Sequence, residues 1–266
     1  MPETRPLAVI TGASSGLGAT FARKLAARGC DLLLVARREE RLAEQARAIE
    51  AAHPVRAAIL PADLTHEADL KAVEERIAAK PNLEYLVNNA GFGITGFFHA
   101  RPLEGQDQMH RLHVLAPMRL MHAALQGMVA RKRGSVINVS SVSGFGQNPG
   151  SVSYSATKTW MTSFTQGLYM ELKSIDSPVR VQALCPGFTI TEFHDVMAFD
   201  RKAIPRWMWM SADEVVESSL RALDRGQLVV IPGWRYRLLV GLMRGFPRPL
   251  YYALSIKYAR STGRAR

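Results

Sequence analysis

The sequence predicts a single α/β domain in which helices cover both faces of a doubly wound parallel sheet. Short runs of consecutive apolar residues recur along the chain, as in strands that are buried on both faces. Segments with apolar residues at helical spacing separate these runs, and this alternation favours parallel strands joined by right-handed crossovers. The chain has 266 residues, 47% of them apolar, which suits one domain of this kind.

The first half of the chain alternates strand and helix. The runs LAVIT and DLLLVA are typical of buried strands, and a glycine-containing turn separates the first run from a helical pattern. The next helix is rich in Ala, Glu, Arg and Leu, with its apolar residues at helical spacing. The predicted elements of this half are the strands 7–11, 31–36, 55–60 and 83–87 and the helices 16–28, 38–52 and 66–79.

The second half continues the alternation, with a longer irregular stretch. Its predicted elements are the strands 135–139, 179–184 and 228–231 and the helices 104–131, 154–173 and 213–225. The doubly wound Rossmann arrangement is the natural outcome of such an order. Ligands in these sheets bind at the carboxyl ends of the strands, so the irregular stretch 188–210 is expected to cover a site.

Composition favours a cytoplasmic enzyme. No stretch reaches the roughly 18 uninterrupted apolar residues of a membrane span, and the first residues lack the pattern of a signal peptide. Cys30 and Cys185 lie in apolar runs, which predicts buried free thiols rather than a disulfide. No metal site is predicted.

The positive charge is concentrated at the C-terminal end. Ten Lys and Arg residues and one acid lie between Arg221 and Arg266, which leaves most of the net charge of +11 there. The charge is either a solvated basic surface or an attraction to an anionic membrane. No nucleic-acid-binding motif accompanies it, so no nucleic acid partner is expected. We therefore divide the chain into a main domain, 1–233, and a basic, partly apolar helical extension, 234–266.

A glycine-rich turn follows the first strand, in the segment Thr-Gly-Ala-Ser-Ser-Gly-Leu-Gly. Gly12 permits the tight turn, Gly16 lets a pyrophosphate approach the backbone, and Gly18 allows close packing of helix on strand. A plain turn is the alternative. The spacing Gly-x-x-x-Gly-x-Gly, Asn88-Asn-Ala-Gly91 after the fourth strand and Tyr154-Ser-Ala-Thr-Lys158 together resemble the short-chain dehydrogenase/reductase family over about residues 7–231.

The end of the second strand indicates the cofactor. Arg37 and Arg38 stand where an acidic residue would favour NAD, and a guanidinium matches a 2′-phosphate, so NADP(H) is predicted, with Arg37 as the main selector. Hydroxyls of Ser14 and Ser15 would add donors. The alternative is that the arginines merely open the next helix. The resemblance implies further cofactor contacts, namely Leu17, Asp63, Leu64, Asn89, Ala90 and Gly91, while Asn88 either lines the groove or links strands.

Tyr154 and Lys158 lie one helical turn apart and share a helix face. An ammonium near a phenol favours the phenolate, so we expect Lys158 to bring Tyr154 closer to acid–base work at neutral pH. The resemblance makes Tyr154 the proton donor or acceptor and lets Lys158 bond the nicotinamide ribose. Ser141, thirteen residues earlier, would hydrogen-bond the substrate oxygen, an assignment that rests on the interval because Ser140 and Ser143 are neighbours.

One position departs from the family pattern. The family usually has asparagine in a segment like Leu-Asn-Val, where this chain has Leu112-His113-Val114. Imidazole donates, accepts and titrates near neutral pH, so His113 either keeps the proton relay to the lysine with a different pH profile or is a packed helix residue.

The segment after the sixth strand resembles the family's Pro-Gly segment at the nicotinamide. Pro186 and Gly187 open it, Thr191 is the expected carboxamide or phosphate contact, and the backbone near Thr189 is a second one. The alternative is a plain turn that ends the strand.

Aromatic and methionine residues predict the substrate class. They suit a bulky lipophilic ketone or alcohol, although they could equally pack the covering stretch onto the core. The candidates are Phe92, Phe97, Phe98, Phe188, Phe193, Met197, Phe199, Trp207, Met208, Trp209 and Met210.

The C-terminal extension and the overall function each leave alternatives open. Segment 234–258 is predicted as two helical pieces broken at Pro247 and Pro249, and it would lie on a membrane, cap the site or pack on a partner. The resemblance implies a homodimer or homotetramer. The chain is expected to be an NADP(H)-dependent oxidoreductase acting on a carbonyl/alcohol pair. The alternative is a cofactor-binding sensor or membrane-associated scaffold with little catalysis.

Overall fold

A computed structural model describes residues 5–193 and 204–261. Its centre is a seven-stranded sheet in which every paired strand runs parallel, in the order β3-β2-β1-β4-β5-β6-β9. The strands of this sheet are β1 Leu7–Thr11, β2 Asp31–Ala36, β3 Ala57–Pro61, β4 Leu83–Asn88, β5 Ser135–Val139, β6 Arg180–Leu184 and β9 Val229–Val230. The predicted fold class is confirmed.

Helices cover both faces of the sheet. They are α1 Gly16–Ala27, α2 Glu39–Ala52, α3 Glu67–Ala78, α4 Leu103–His110, α5 Ala116–Ala130, α6 Val152–Ser174, α7 Ala212–Asp224, α8 Trp234–Gly245 and α9 Arg248–Ser261. One apolar cluster joins the sheet to α1, α2 and α7, and a second joins the other face to α3, α5 and α6. Both faces of the central strands are therefore buried, which is why those strands read as continuous apolar runs.

The predicted long helical stretch 104–131 is helical throughout, with a π-helical turn in its middle. The chain forms α4, then the π-helical turn at Arg111–Leu115, then α5. Pro117 lies in the first turn of α5, and it has no N–H to give to the carbonyl of His113, four residues earlier. The missing donor accounts for the altered hydrogen bonding of this turn, in which His113 lies.

The stretch predicted to be irregular contains a small two-stranded sheet. β7, Thr189–Ile190, pairs with β8, Met210–Ser211, and Ser211 then caps α7 through a reciprocal capping box with Glu214. The capping box fixes the point at which the stretch re-enters regular structure. Met197 and Phe199, two of the predicted substrate-lining residues, lie outside the described residues, as do residues 262–266.

The C-terminal extension forms two helices, as predicted, and the helical structure is interrupted between Gly245 and Arg248, at Pro247. Within the described ranges, no helix is both long enough and apolar enough to cross a bilayer. Cys30 and Cys185 are both buried free thiols, which confirms that prediction.

Parallel pairing brings the carboxyl ends of the strands to one edge of the sheet. The glycine turn follows β1, Asn89 and Gly91 follow β4, Ser141 follows β5, and Pro186 follows β6. The sequence-predicted residues from four separate segments therefore meet at this edge.

Candidate active site

The glycine turn is held by hydrogen bonds from the loop after β4. The hydroxyl of Thr11 donates to the carbonyl of Val87 and accepts the N–H groups of Asn89 and Ala90, both at 3.0 Å. The Asn89 amide donates to the carbonyls of Thr11 and Gly12 at 2.9 and 3.3 Å. Asn89 therefore acts on the turn by holding its backbone.

The turn leaves no room for side chains at two of its glycines. Gly12 has a φ of +66°, and a Cβ there would lie 2.8 Å from the Asn89 amide nitrogen. A Cβ at Gly18 would overlap the carbonyl oxygen of Gly12, so the third glycine allows α1 to pack against the turn itself. Leu17 turns its side chain into the core, which leaves only its backbone at the groove.

Arg38, rather than Arg37, reaches the glycine turn. Its guanidinium donates to the hydroxyls of Ser14 and Ser15, each at 3.0 Å, and to the carboxylate of Glu192 at 3.0 Å. Glu192 also pairs with Arg41. Arg38, the N-cap of α2, is thus the arginine that contacts the glycine turn, while the role of Arg37 as the main selector stays a prediction.

Arg37 pairs with an acidic residue instead. It lies 3.7 Å from Asp63, beyond the end of β3. Burial would raise the pKa of Asp63, but hydrogen bonds from Thr65 and the Arg37 charge outweigh it and lower that pKa. Leu64 is buried beside Asp63. The Asp63 carboxylate is therefore charged and paired with Arg37.

An open cavity of about 580 Å³ lies against the turn. Ser14, Ser15, Gly16, Arg41, Thr191 and Glu192 are among its lining residues. Thr191 approaches Gly16, where a Cβ would lie 3.1 Å from that of the threonine. The first and last parts of the predicted cofactor groove thus face one space.

Tyr154, Ser141 and Lys158 lie close together. Ser141 follows the carboxyl end of β5, and Tyr154 and Lys158 lie on the first turns of α6. The Lys158 ammonium nitrogen lies 5.7 Å from the centre of the Tyr154 ring and donates to the carbonyl of Val139 at 2.9 Å. Ser141 hydrogen-bonds the phenol, and its oxygen also accepts the N–H of Ser143 at 3.1 Å. The three groups predicted to carry the chemistry are therefore neighbours.

Burial dominates the ionisation of this group. It raises the pKa of Tyr154 to about 12, with a smaller lowering from the Ser141 hydrogen bond, and it lowers the pKa of Lys158 to about 8. The expectation that the lysine lowers the phenol's pKa in this state is wrong. The ammonium donates to the Val139 carbonyl instead of to the phenol oxygen.

The three neighbouring serines have different partners. The Ser140 hydroxyl donates to the carbonyl of Lys158 at 2.7 Å and lies 2.8 Å from the Thr162 hydroxyl, so it joins β5 to α6. Ser141 is the serine that contacts Tyr154. Its φ of −166° and ψ of 157° keep it extended at the strand end, and this backbone carries its side chain toward α6.

His113 is buried, and both ring nitrogens have protein partners. Nε2 accepts the N–H of Phe92 at 3.2 Å, and Nδ1 lies 3.1 Å from the Thr157 hydroxyl. The ring meets that of Tyr154 edge-on, with the centres 5.9 Å apart. Burial, followed by the charges of Lys158 and His110, lowers the pKa of His113 well below its usual 6.5. The imidazole is therefore neutral at physiological pH.

The segment after β6 packs on a tyrosine of α8. A Cβ at Gly187 would overlap the Tyr236 ring. The Tyr236 hydroxyl accepts the N–H of Phe188 at 2.9 Å and donates to the carbonyl of Met208 at 2.6 Å. Thr189 donates to the carbonyl of Gly187 at 3.0 Å. The helix predicted as the start of the extension thus supports the wall of the site.

The aromatic residues proposed as a substrate lining divide into two groups. Phe193 lies 5.9 Å from the Tyr154 ring and Phe92 6.0 Å from His113, measured between ring centres. Phe188 contacts Trp209 instead, and Met210 packs against the core. Trp207 and Phe98 are exposed.

The sequence matches a known protein family. The family model described as short chain dehydrogenase matches residues 6–201. The chain belongs to the short-chain dehydrogenase/reductase family. An uncharacterised oxidoreductase of Staphylococcus saprophyticus is 34% identical over 186 residues, which are 70% of this chain and 79% of that protein.

Two solved structures extend the likeness over most of the chain. A short-chain dehydrogenase from Sphingobium yanoikuyae in complex with NADPH is 37% identical, with a TM-score of 0.82 over 91% of this chain and 97% of that one. A bulky-bulky ketone specific alcohol dehydrogenase from Comamonas testosteroni is 34% identical, with a TM-score of 0.78 over 91% and 95%. The chain is thus an oxidoreductase-family protein with a nucleotide-binding Rossmann fold.

Sequence reasoning missed several residues of this short-chain dehydrogenase site. Tyr236, Thr157 and Glu192 carried no motif, since each acts through a partner far away in sequence. Asn138 also escaped notice, although it accepts from Asn88 at 2.8 Å and donates to Thr165 at 2.9 Å. This chain of amides supports the structural interpretation of Asn88. A lone asparagine between apolar residues of a buried strand was the available signal for Asn138.

Proposed function

We propose that the protein is an NADP(H)-dependent reductase or dehydrogenase that interconverts a carbonyl and an alcohol, with Tyr154 as general acid and base. The observation that carries this proposal is the grouping of Tyr154, Ser141 and Lys158 at the sheet edge that also holds the glycine turn. A phenol, a hydroxyl donor and an ammonium within one cluster can hold a carbonyl oxygen and give it a proton.

The chain's own groups divide the work. In a reduction, the Tyr154 hydroxyl donates its proton to the substrate oxygen while the Ser141 hydroxyl hydrogen-bonds that oxygen and stabilises its growing charge. The proton lost by Tyr154 leaves a phenolate, and the Lys158 ammonium would have to turn from the Val139 carbonyl toward it to stabilise that charge. In an oxidation, the phenolate takes the alcohol proton.

The residues at the glycine turn fit a nicotinamide dinucleotide. Gly12 and Gly16 have no side chain that would cover the backbone, and the N-terminus of α1 faces the turn. A Cβ at Gly12 would collide with the Asn89 amide. When bound, the cofactor supplies or accepts the hydride. Arg38, Ser14 and Ser15 form a donor set that suits a 2′-phosphate, and the Sphingobium relative that was solved with NADPH supports this choice.

The substrate is proposed to be a bulky lipophilic ketone or alcohol. Phe92 and Phe193 place aromatic surface next to His113 and Tyr154. The Comamonas relative named for bulky-bulky ketones supports the same class. The packing of Phe188 and Trp209 on one another assigns those two residues to the wall instead.

The C-terminal helices are proposed to touch an anionic membrane surface. Trp234, Leu238, Leu242, Leu250 and Leu254 are exposed apolar residues on α8 and α9, and six arginines and lysines share these helices, namely Arg235, Arg237, Arg244, Arg248, Lys257 and Arg260. Flotation with anionic and with neutral vesicles tests this contact, and equal recovery of the protein from both would reject it. A homodimer or homotetramer stays a prediction from the family.

Steady-state kinetics test the main proposal. The wild-type protein is expected to oxidise NADPH with bulky aryl ketones and to use NADH at least tenfold less well in kcat/KM. Tyr154→Phe removes the proton donor and is expected to lower kcat by about 10²-fold or more, while NADPH still binds in a fluorescence titration. Tyr169→Phe, a change of another tyrosine on α6, is the matched control. Binding of NADPH without turnover of any carbonyl would favour the sensor alternative.

A further inference from the structure

We propose that His113 is a positioning residue: its neutral imidazole bridges the loop after β4 to the helix that carries Tyr154. The proposal rests on the proposed function, because its purpose is to hold the phenol against the cofactor groove. It assigns His113 neither a proton relay nor a simple packing role.

The imidazole spans two separate elements of the site. On one side it accepts the backbone N–H of Phe92, whose loop continues from Asn89 and Gly91 at the groove. On the other side it lies 3.1 Å from the hydroxyl of Thr157, on the first turns of α6. Thr157 in turn donates to the carbonyl of Tyr154 at 2.9 Å. One side chain thus links the groove wall to the backbone of the proposed acid.

The groups at the two ends of this series of hydrogen bonds fix the position of every proton in it. A backbone N–H only donates, so Nε2 of His113 must present its lone pair to Phe92. A neutral imidazole then carries its proton on Nδ1 and donates it to the Thr157 oxygen. The Thr157 hydroxyl gives its own proton to the Tyr154 carbonyl, which only accepts. All donors and acceptors are satisfied in a single arrangement.

The same arrangement argues against a proton relay through His113. Its lone pair is occupied by Phe92, and a second proton would break that hydrogen bond. The groups that face the ring are Lys158, His110 and Tyr154, and the Lys158 ammonium opposes protonation further. The departure from the family's asparagine therefore replaces a small amide with a longer rigid spacer.

The spacer also explains the tight contact at Gly91. A Cβ at Gly91 would lie 2.8 Å from Nε2 of His113, so the loop passes directly over the ring edge. The Phe92 ring then lies 6.0 Å from the imidazole. Displacement of the imidazole would shift the groove wall and the Tyr154 helix relative to one another.

Three variants separate the two ends of the bridge. His113→Asn shortens the side chain and keeps a donor only toward Thr157. His113→Gln reaches toward Phe92 with its acceptor. Thr157→Val removes the hydroxyl at nearly constant volume. His110→Asn, one turn earlier on the same helical stretch, is the matched control that leaves the bridge in place.

The rate of amide hydrogen exchange at Phe92 measures the strength of the bridge directly and requires no catalytic turnover. Exchange in His113→Asn is expected to be at least tenfold faster than in the wild type, while His113→Gln and the control stay within threefold. An unchanged rate in His113→Asn overturns the proposal. This measurement stands even if the protein turns over no carbonyl, so failure of the proposed function is distinguishable from failure of the bridge.

Steady-state kinetics measure how loss of the bridge affects the action of Tyr154. His113→Asn and Thr157→Val are each expected to lower kcat about 3- to 10-fold, the range of one lost hydrogen bond, with the substrate KM changing less than twofold. The double variant should be no slower than the worse single variant, because both break one chain of contacts. The pH midpoint of kcat should stay within about 0.3 in every variant. A moved midpoint in His113→Asn, or multiplicative losses in the double variant, overturns the positioning role.

Discussion

The buried ammonium of Lys158 is expected to make folding stability depend on pH in a way that one substitution removes. Lys158 is 5% exposed, and burial lowers its pKa from 10.5 to about 8. The charged form is therefore held in the folded protein at a cost. Lys158→Met keeps most of the aliphatic stem and removes the ammonium, along with the hydrogen bond to Val139.

The size of the effect follows from the two pKa values. A lowering from 10.5 to about 8 corresponds to about 3 kcal/mol of free energy of unfolding lost at neutral pH. Loss of the donor to the Val139 carbonyl costs Lys158→Met about 1–3 kcal/mol, because that acceptor is buried. We therefore expect the variant to be equal to the wild type or up to about 2 kcal/mol more stable at pH 7.

The sign of the pH dependence is fixed by the order of the pKa values. Between pH 8 and 10.5 the unfolded chain binds the Lys158 proton more tightly than the folded protein does, so wild-type stability rises with pH in that window. Relative to Lys158→Met, the wild type should gain about 2 kcal/mol between about pH 7 and about pH 9.5. The opposing effect of Tyr154, whose pKa is raised to about 12, begins only above about pH 10.

Urea unfolding of both proteins at these pH values, without added nucleotide, measures the difference. Lys173→Met, at an exposed lysine further along the same helix, is the matched control and should show the wild-type pH dependence. Parallel stability curves for the wild type and Lys158→Met would refute the buried-charge argument, since every other titrating group is common to the two.

Two further substitutions test the groove and its wall. Arg38→Leu should raise KM for NADPH tenfold or more and leave KM for NADH within about twofold. The reason is that hydrogen bonds to charged groups contribute about 1.5–3 kcal/mol. A matching rise of KM for both cofactors in steady-state kinetics would contradict the assignment of Arg38 to the 2′-phosphate. Gly187→Ala should lower stability by about 1–3 kcal/mol in thermal unfolding, because its Cβ would overlap the Tyr236 ring. In a Tyr236→Ala background, itself less stable, Gly187→Ala should cost less than in the wild type, and additive losses would argue against the contact.

The fold and much of the cofactor groove could be predicted because their signals are local. An apolar run such as 7–11 forms a buried strand wherever it lies in the sheet, and the glycine turn must follow it directly. Parallel pairing then places the segments after β1, β4, β5 and β6 at one edge without further information. The interval between Ser141 and Tyr154 pointed to the serine that contacts the phenol, and its role toward a substrate stays a prediction.

Other features needed long-range contacts. The π-helical turn at Arg111–Leu115 follows from Pro117, a local signal that the apolar periodicity of the segment outweighed. The expected lowering of the Tyr154 pKa failed for a different reason. Sequence spacing placed the ammonium on the right helix face, but the Val139 carbonyl, on another strand, receives its hydrogen bond.

The sequence by itself determined the fold class, the family and the residue types at the glycine turn, Ser141, Tyr154 and Lys158. Only the tertiary structure decided which arginine lies over the turn, which tyrosine supports Gly187, and what the histidine at position 113 contacts. The physical reason is the range of the interactions. Strand, helix and turn signals act over a few residues, whereas burial and the hydrogen bonds of His113 to Phe92 and Thr157 depend on segments 21 and 44 residues away.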